Sequence, residues 1–140
     1  MTTARYAPPA APAHTMTHTM YAERDGMISR GDLYSACLDP VVGSEQGGIR
    51  PVLVIQNDVG NRHSPTVIVL AVTGQLGKAR LPTHVPIDCE GTGLVRDSVV
   101  LAEQIRTLDK RRLRERIGAL KPEVMARVGE AVKVSLGIKY

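Results

Sequence analysis

The 140-residue chain has no phenylalanine, no tryptophan and only four tyrosines. With so few aromatic faces, the base-stacking platform that many single-strand binders use is not expected. Cysteine is also scarce. Cys37 and Cys89 stand far apart and fit neither a CxxC pair nor a Cys/His zinc spacing, so they read as free cytosolic thiols. No apolar run approaches the ~18 residues that span a bilayer. The N-terminus lacks the apolar stretch of a secretory signal. A cytoplasmic protein without a membrane segment is expected. Phosphate loops of the GxxxxGK[ST] and GxGxxG types are missing. Asp32, Asp39, Glu45 and Asp58 fall at different predicted strand ends without the spacing of a carboxylate cluster, so no metal and no other cofactor is expected.

The net charge of +4 is unevenly placed. Residues 105–140 carry ten basic and four acidic side chains, whereas 30–104 carry six basic and eight acidic. A basic C-terminal end suits a polyanionic partner, and it suits a solvated helix face equally well.

Residues 1–26 are rich in Ala, Pro and Thr, lack apolar periodicity and read as a disordered extension to a domain over 27–140. His14 and His18 have no third ligand nearby, and their spacing is read as coincidence. Met27, just before the first regular element, is a candidate initiation site. Strands are expected over 31–38, 51–57, 66–73, 84–88, 98–105 and 116–120, with a turn over 58–65 and a polar loop over 74–82 carrying Lys78 and Arg80. Thr107 is expected to cap a short helical turn that runs to Leu113. Pro122 opens a helix with Val124, Val128, Val132 and Leu136 on one stripe, flanked by Met125 and Ala131. Short strands, frequent turns and a late amphipathic helix predict a small, mostly β barrel.

The richest stretch is Val41 to Asp58. Gly43 to Gly48 is small, polar and glycine-rich, and Pro51 to Ile55 is unbroken apolar strand. Arg50 sits at the join, where a permanent guanidinium is suited to meet an anion. Pairing 51–57 antiparallel with 66–73 brings Arg50 and Thr73 to the same sheet end. There they could grip a phosphate, or serve as a surface ion-pair residue and a plain strand end. Ser44 lies between two strands, whereas a GxSxG nucleophile needs strand, turn and helix, so a serine hydrolase is not supported. His63 and His84 could form a two-histidine RNA-cleaving site, although a satisfied or solvated histidine is the simpler reading of each.

Arg30-Gly-Asp-Leu-Tyr34 followed by Pro40-Val-Val-Gly-Ser-Glu-Gln-Gly-Gly-Ile-Arg-Pro-Val-Leu-Val-Ile-Gln-Asn57 resembles the MazF/PemK family of toxin endoribonucleases, in its Bacillus-type form. Asn61-Arg-His-Ser-Pro-Thr66, Lys78-Ala-Arg-Leu-Pro-Thr-His84 and Arg96-Asp-Ser-Val-Val-Leu-Ala-Glu-Gln-Ile-Arg-Thr107 extend the likeness across roughly residues 27 to 138. The resemblance implies an SH3-like, CcdB/PemK-type barrel acting as a homodimer and held silent by a MazE-like antitoxin. It implies metal-independent, sequence-specific cleavage of single-stranded RNA at a U-ACAU-type site, leaving a 2′,3′-cyclic phosphate and a 5′-hydroxyl. It implies Arg50 and Thr73 as the catalytic pair, with Ser44, Glu45, Gln46, Leu81, Glu103 and Gln104 lining the RNA groove. The N-terminal extension, His63 in place of an aromatic, and the more basic 107–116 segment depart from the family pattern.

Two rivals share the fold. A gyrase poison of this type depends on a C-terminal Trp, and this chain ends Leu136-Gly-Ile-Lys-Tyr140. An inactive nucleic-acid-binding barrel has no need of both Arg50 and Thr73.

Overall fold

Two strands with unbroken apolar runs, Pro51–Val54 and Val67–Val72, form the middle of the sheet, β2 (Ile49–Val54) and β3 (Thr66–Thr73). Their lack of polar alternation follows from burial on both faces. Leu53, Leu70 and Val72 join one core cluster, while Val52, Val54, Val67 and Val69 join another on the opposite face. A computed structural model describes residues 27–75 and 81–139. The 1–26 extension, with His14 and His18, and the loop residues Lys78 and Arg80 lie outside the described residues.

The other strands are β1 (Asp32–Cys37), β4 (His84–Ile87), β5 (Ser98–Asp109) and β6 (Leu113–Ala119). All pairings are antiparallel, in the order β4-β5-β3-β2-β1-β6. The sheet is mostly β architecture with a C-terminal helix, as expected, but its edge strands β4 and β6 are not hydrogen-bonded to each other. Instead the loop after β4 lies directly on β6. A Cβ on Gly93 would sit 2.0 Å from the Ile117 carbonyl oxygen, and one on Gly118 would sit 1.9 Å from the Thr92 carbonyl oxygen. The two backbones thus touch where only glycine fits, and the sheet rolls without closing.

The C-terminal helix α2 (Pro122–Leu136) begins with proline at its first turn. It ends at Gly137, whose left-handed φ of 72° lets its N–H reach the last carbonyls. Val128 and Ala131 are buried against the first cluster, with Val124, Met125 and Val132 beside them. Leu136, expected on the same stripe, is 56% exposed in the last turn. No helix among the described residues is long and apolar enough to cross a membrane.

Two local expectations are corrected. The 58–65 turn contains a helix, α1 (Asp58–His63), capped by the Asn57 side chain, which accepts from the Gly60 N–H. Asn61 is buried; its amide oxygen accepts from the Gln56 side chain and its amide nitrogen donates to the Gln56 carbonyl, local bonds that support a helix of weak propensity. The helical turn assigned to 107–113 is shorter: β5 continues to Asp109, which caps a 3-10 turn over Lys110–Arg112, and β6 begins at Leu113.

Candidate functional site

The β2–β3 register pairs Val52 with Ala71, Leu53 with Leu70 and Val54 with Val69. Continued by two residues, it sets Arg50 opposite Thr73 on one face, as antiparallel geometry requires. Pro51 has no N–H to extend the ladder, so the strands are free to part there. Arg50 is exposed, and its Nε donates to the Gly47 carbonyl at 2.9 Å. Its two terminal amino groups have no acceptor among the described residues. Thr73 is nearly buried, and its Oγ1 accepts from the Gln75 N–H at 3.2 Å, which leaves the hydroxyl proton free to donate. Arg50 and Thr73 thus stand towards the same end of β2 and β3, each with donor capacity to spare.

The glycine loop between β1 and β2 is held in place. Gly48 N–H donates to Asp39 Oδ1 at 2.9 Å, and Leu38 N–H donates to the Gly48 carbonyl. Glu45 accepts the Val42 N–H at 2.8 Å, closing a turn under Ser44. Two arginines from the basic C-terminal segment anchor this loop from outside. Arg106 donates to the carbonyls of Leu38 at 3.0 Å and Gln46 at 3.4 Å, and Arg112 donates to those of Cys37 and Asp39. Lys110 and Arg116 likewise bond within the protein, to the Asn61 carbonyl and the Asp32 carboxylate. Much of the positive charge that first suggests a polyanion site is structural.

Opposite the loop, β5 bulges. Leu70 pairs with Ile105 and the next β3 residue, Ala71, pairs with Leu101, so residues 102–104 have no β3 partner. Glu103 and Gln104 project from this bulge. Gln104 accepts the Gln46 N–H at 3.4 Å, joining bulge to loop. Glu103 is bonded by the Thr83 hydroxyl at 2.7 Å and by His84 Nε2 at 3.1 Å, while His84 Nδ1 accepts the Leu81 N–H. Burial works against the Glu103 charge. The hydrogen bonds from Thr83, the backbone and His84 more than offset it, and its pKa lies below the ordinary value.

A run of contacts thus connects Arg50 through Gly47 and Gln46 to Gln104, and from the neighbouring Glu103 to His84 and Leu81. Of the eight residues picked from the sequence, Arg50, Gln46, Gln104, Glu103 and Leu81 fall along this run, Ser44 and Glu45 lie in the glycine loop beside it, and Thr73 ends β3. The two-histidine alternative is not assembled. His63 closes α1, before Thr66, whereas His84 is aligned through Leu101 with Ala71. Five strand residues separate those levels by about 16 Å. Among the described residues, no three His, Cys, Asp or Glu side chains gather as a metal site would need. Arg96 was missed by the sequence reading. Its side chain lies over Gly74, where an added Cβ would meet its Cδ at 2.8 Å, and this brings a second cation next to Thr73. Nothing in its local sequence signals that contact.

Comparison with known proteins adds an independent line. A family model described as PemK-like, MazF-like toxin of type II toxin–antitoxin system matches residues 29–136. Endoribonuclease EndoA of Bacillus subtilis is 61% identical over 112 residues, covering 80% of this chain and 97% of its own. A crystal structure of MazF from Deinococcus radiodurans is similar at a TM-score of 0.68 and 29% identity, over 79% of this chain and 97% of that one. A mycobacterial endoribonuclease solved in complex with its cognate antitoxin gives a TM-score of 0.66 and 26% identity, over 81% and 98%. The chain belongs to the PemK-like, MazF-like family of toxins of type II toxin–antitoxin systems.

Proposed function

We propose that this toxin endoribonuclease cuts single-stranded messenger RNA at a U-ACAU-type word without a metal ion, with Arg50 and Thr73 as its catalytic residues and 27–140 as its catalytic unit. In the reaction the 2′-oxygen bonds to phosphorus and loses its proton. The bond from phosphorus to the 5′-oxygen breaks, and that oxygen takes up a proton. The products are a 2′,3′-cyclic phosphate and a 5′-hydroxyl. Negative charge on the phosphorane oxygens peaks between these events. Arg50 directs two unengaged amino groups of fixed charge at it, a contribution on the order of 3–4 kcal/mol for such a donor. An arginine holds its proton firmly at neutral pH, so its part is charge stabilisation rather than proton transfer. The Thr73 hydroxyl donates to a second phosphate oxygen.

The observation that supports this reading is the β2–β3 register over Val52–Val54 and Val69–Ala71, whose continuation by two residues would align Arg50 with Thr73 beside the anchored loop. In the same reading Ser44, Glu45 and Gln46 line the RNA groove on one side, and Leu81, Glu103 and Gln104 line it on the other. The chain acts as a homodimer and is silenced by a MazE-like antitoxin; MazF of Deinococcus radiodurans was solved with MazE, and the mycobacterial relative with its cognate antitoxin.

The test is a long RNA incubated with the purified protein in EDTA, with cut sites mapped and both new ends analysed. Cuts at one word with cyclic-phosphate and 5′-hydroxyl ends are expected. Cutting that requires added magnesium, or that leaves 5′-phosphates, would reject the mechanism.

A further inference from the structure

Glu103 enters the groove with both carboxylate oxygens already engaged by the segment that leads into β4. The Thr83 hydroxyl bonds Oε1 and the His84 ring bonds Oε2. The tautomer of that ring is fixed by its other bond. The Leu81 N–H can only donate, so Nδ1, which accepts it at 3.1 Å, carries no proton, and the ring proton sits on Nε2 facing Glu103. Thr83 is 9% exposed, and its own carbonyl accepts the Ala102 N–H at 2.9 Å, at the point where the bulge leaves β5. Behind the ring, a groove of about 410 Å³ separates His84 from Arg127 and Glu130 on α2. The charged groups facing His84 are thus Glu103 from β5 and this pair from the helix.

We infer that Thr83 and His84 are positioning residues that hold Glu103 as a specificity element, an oriented carboxylate that accepts the exocyclic amine of one RNA base. This rests on the proposed path of RNA between the glycine loop and the bulge. After its two bonds to the protein, each carboxylate oxygen keeps a lone pair, and an ionised carboxylate can only accept. Adenine, cytosine and guanine carry an exocyclic amine on their pairing edges, whereas uracil offers there only N3–H, set between two carbonyls that a carboxylate repels. A carboxylate able to swing could adapt to any base, whereas one locked by two neighbours discriminates.

The two halves of the histidine can be separated. In His84→Asn the amide oxygen replaces Nδ1 and keeps an acceptor for Leu81, but the side chain is too short for Glu103. In His84→Gln the amide nitrogen replaces Nε2 and keeps a donor for Glu103, while the Leu81 bond is lost. Thr83→Val removes the other bond to Glu103 without touching the ring. A long RNA of known sequence is digested with each protein, and base frequencies are counted at every position around the cuts. The wild type is expected to require an amine-bearing base at one position. That preference relaxes by about tenfold in His84→Asn and Thr83→Val, stays in His84→Gln, and leaves the other positions unchanged in all three. Equal relaxation in both histidine variants, or none in His84→Asn and Thr83→Val, would overturn the inference while leaving the cleavage reading standing. A wild type that cuts with no base preference at all would reject both.

Discussion

Arg106 and Leu38 are 68 residues apart in sequence, yet the guanidinium of one donates to the carbonyl of the other at 3.0 Å. The same side chain reaches the Gln46 carbonyl, so one arginine on β5 spans both ends of the glycine loop. Its planar fork can serve two acceptors at once, which an ammonium cannot do with the same geometry. Arg106→Gln and Arg106→Lys are expected to loosen Ser44 to Gln46 and raise KM for RNA by about five- to tenfold, the scale of one or two lost hydrogen bonds. kcat changes less, because Arg50 and Thr73 keep their places on the strands. Steady-state kinetics on one short RNA separates the two effects, and an unchanged KM would count against the loop's role in binding.

The rolled sheet makes a prediction of opposite signs at three glycines. Gly93→Ala and Gly118→Ala each drive a methyl into a carbonyl of the facing backbone. A loss of about 2–3 kcal/mol or more is expected at each, with the φ of +88° adding strain at Gly93. Gly129 in α2 has nothing within 4 Å of a built Cβ. There Gly129→Ala should stabilise by roughly 0.5–1 kcal/mol through helix propensity and a less flexible unfolded chain. Thermal or urea melts of the three variants check the signs.

Asp58 ties α1 to the start of β1 and gives the stability a pH signature. Its carboxylate accepts the Arg30 N–H at 2.7 Å and the Asn61 amide at 3.0 Å, and these bonds hold its pKa below the ordinary 3.8. A group depressed in the folded state contributes stability above its unfolded pKa and loses it as pH falls through the folded value. Asp58→Asn should therefore be less stable than the wild type at pH 7, by up to about 1 kcal/mol at this exposed site. The gap should narrow between pH 7 and pH 3, as the carboxyl takes up its proton in the unfolded chain before it does so in the folded one. Urea melts at the two pH values measure it.

Much of this end of the molecule was readable from residues alone, for reasons that differ by element. The apolar runs of β2 and β3 have no helical period, and burial on both faces accounts for them. Their antiparallel pairing sets Arg50 opposite Thr73 whatever bridges the strands, so taking α1 for a turn did not disturb the register. The helix itself was hidden because it depends on the Asn57 cap and on the Gln56–Asn61 amide pair, neither of which shows as a hydrophobic pattern. The bulge at 102–104 was equally silent. It exists because Ala102 pairs with Thr83 and not with β3. Charge counting was least informative. Arg106, Lys110, Arg112 and Arg116 are basic in the sequence, but in the fold they are the donors that hold loops and strand ends. The likeness of the motifs to a family supplied the roles of Leu81, Glu103 and Gln104, which spacing alone did not single out.

The central claim is that Arg50 stabilises charge on the cleaved phosphate in a site that needs no metal. It is tested by the single-turnover rate on a short RNA in EDTA, comparing wild type with Arg50→Ala. Arg50 is exposed and its side chain bonds only Gly47 among the described residues, so the variant should fold normally. A fall of about 10²–10³ in rate is predicted. A folded Arg50→Ala protein that cuts within a few-fold of the wild-type rate would contradict the account.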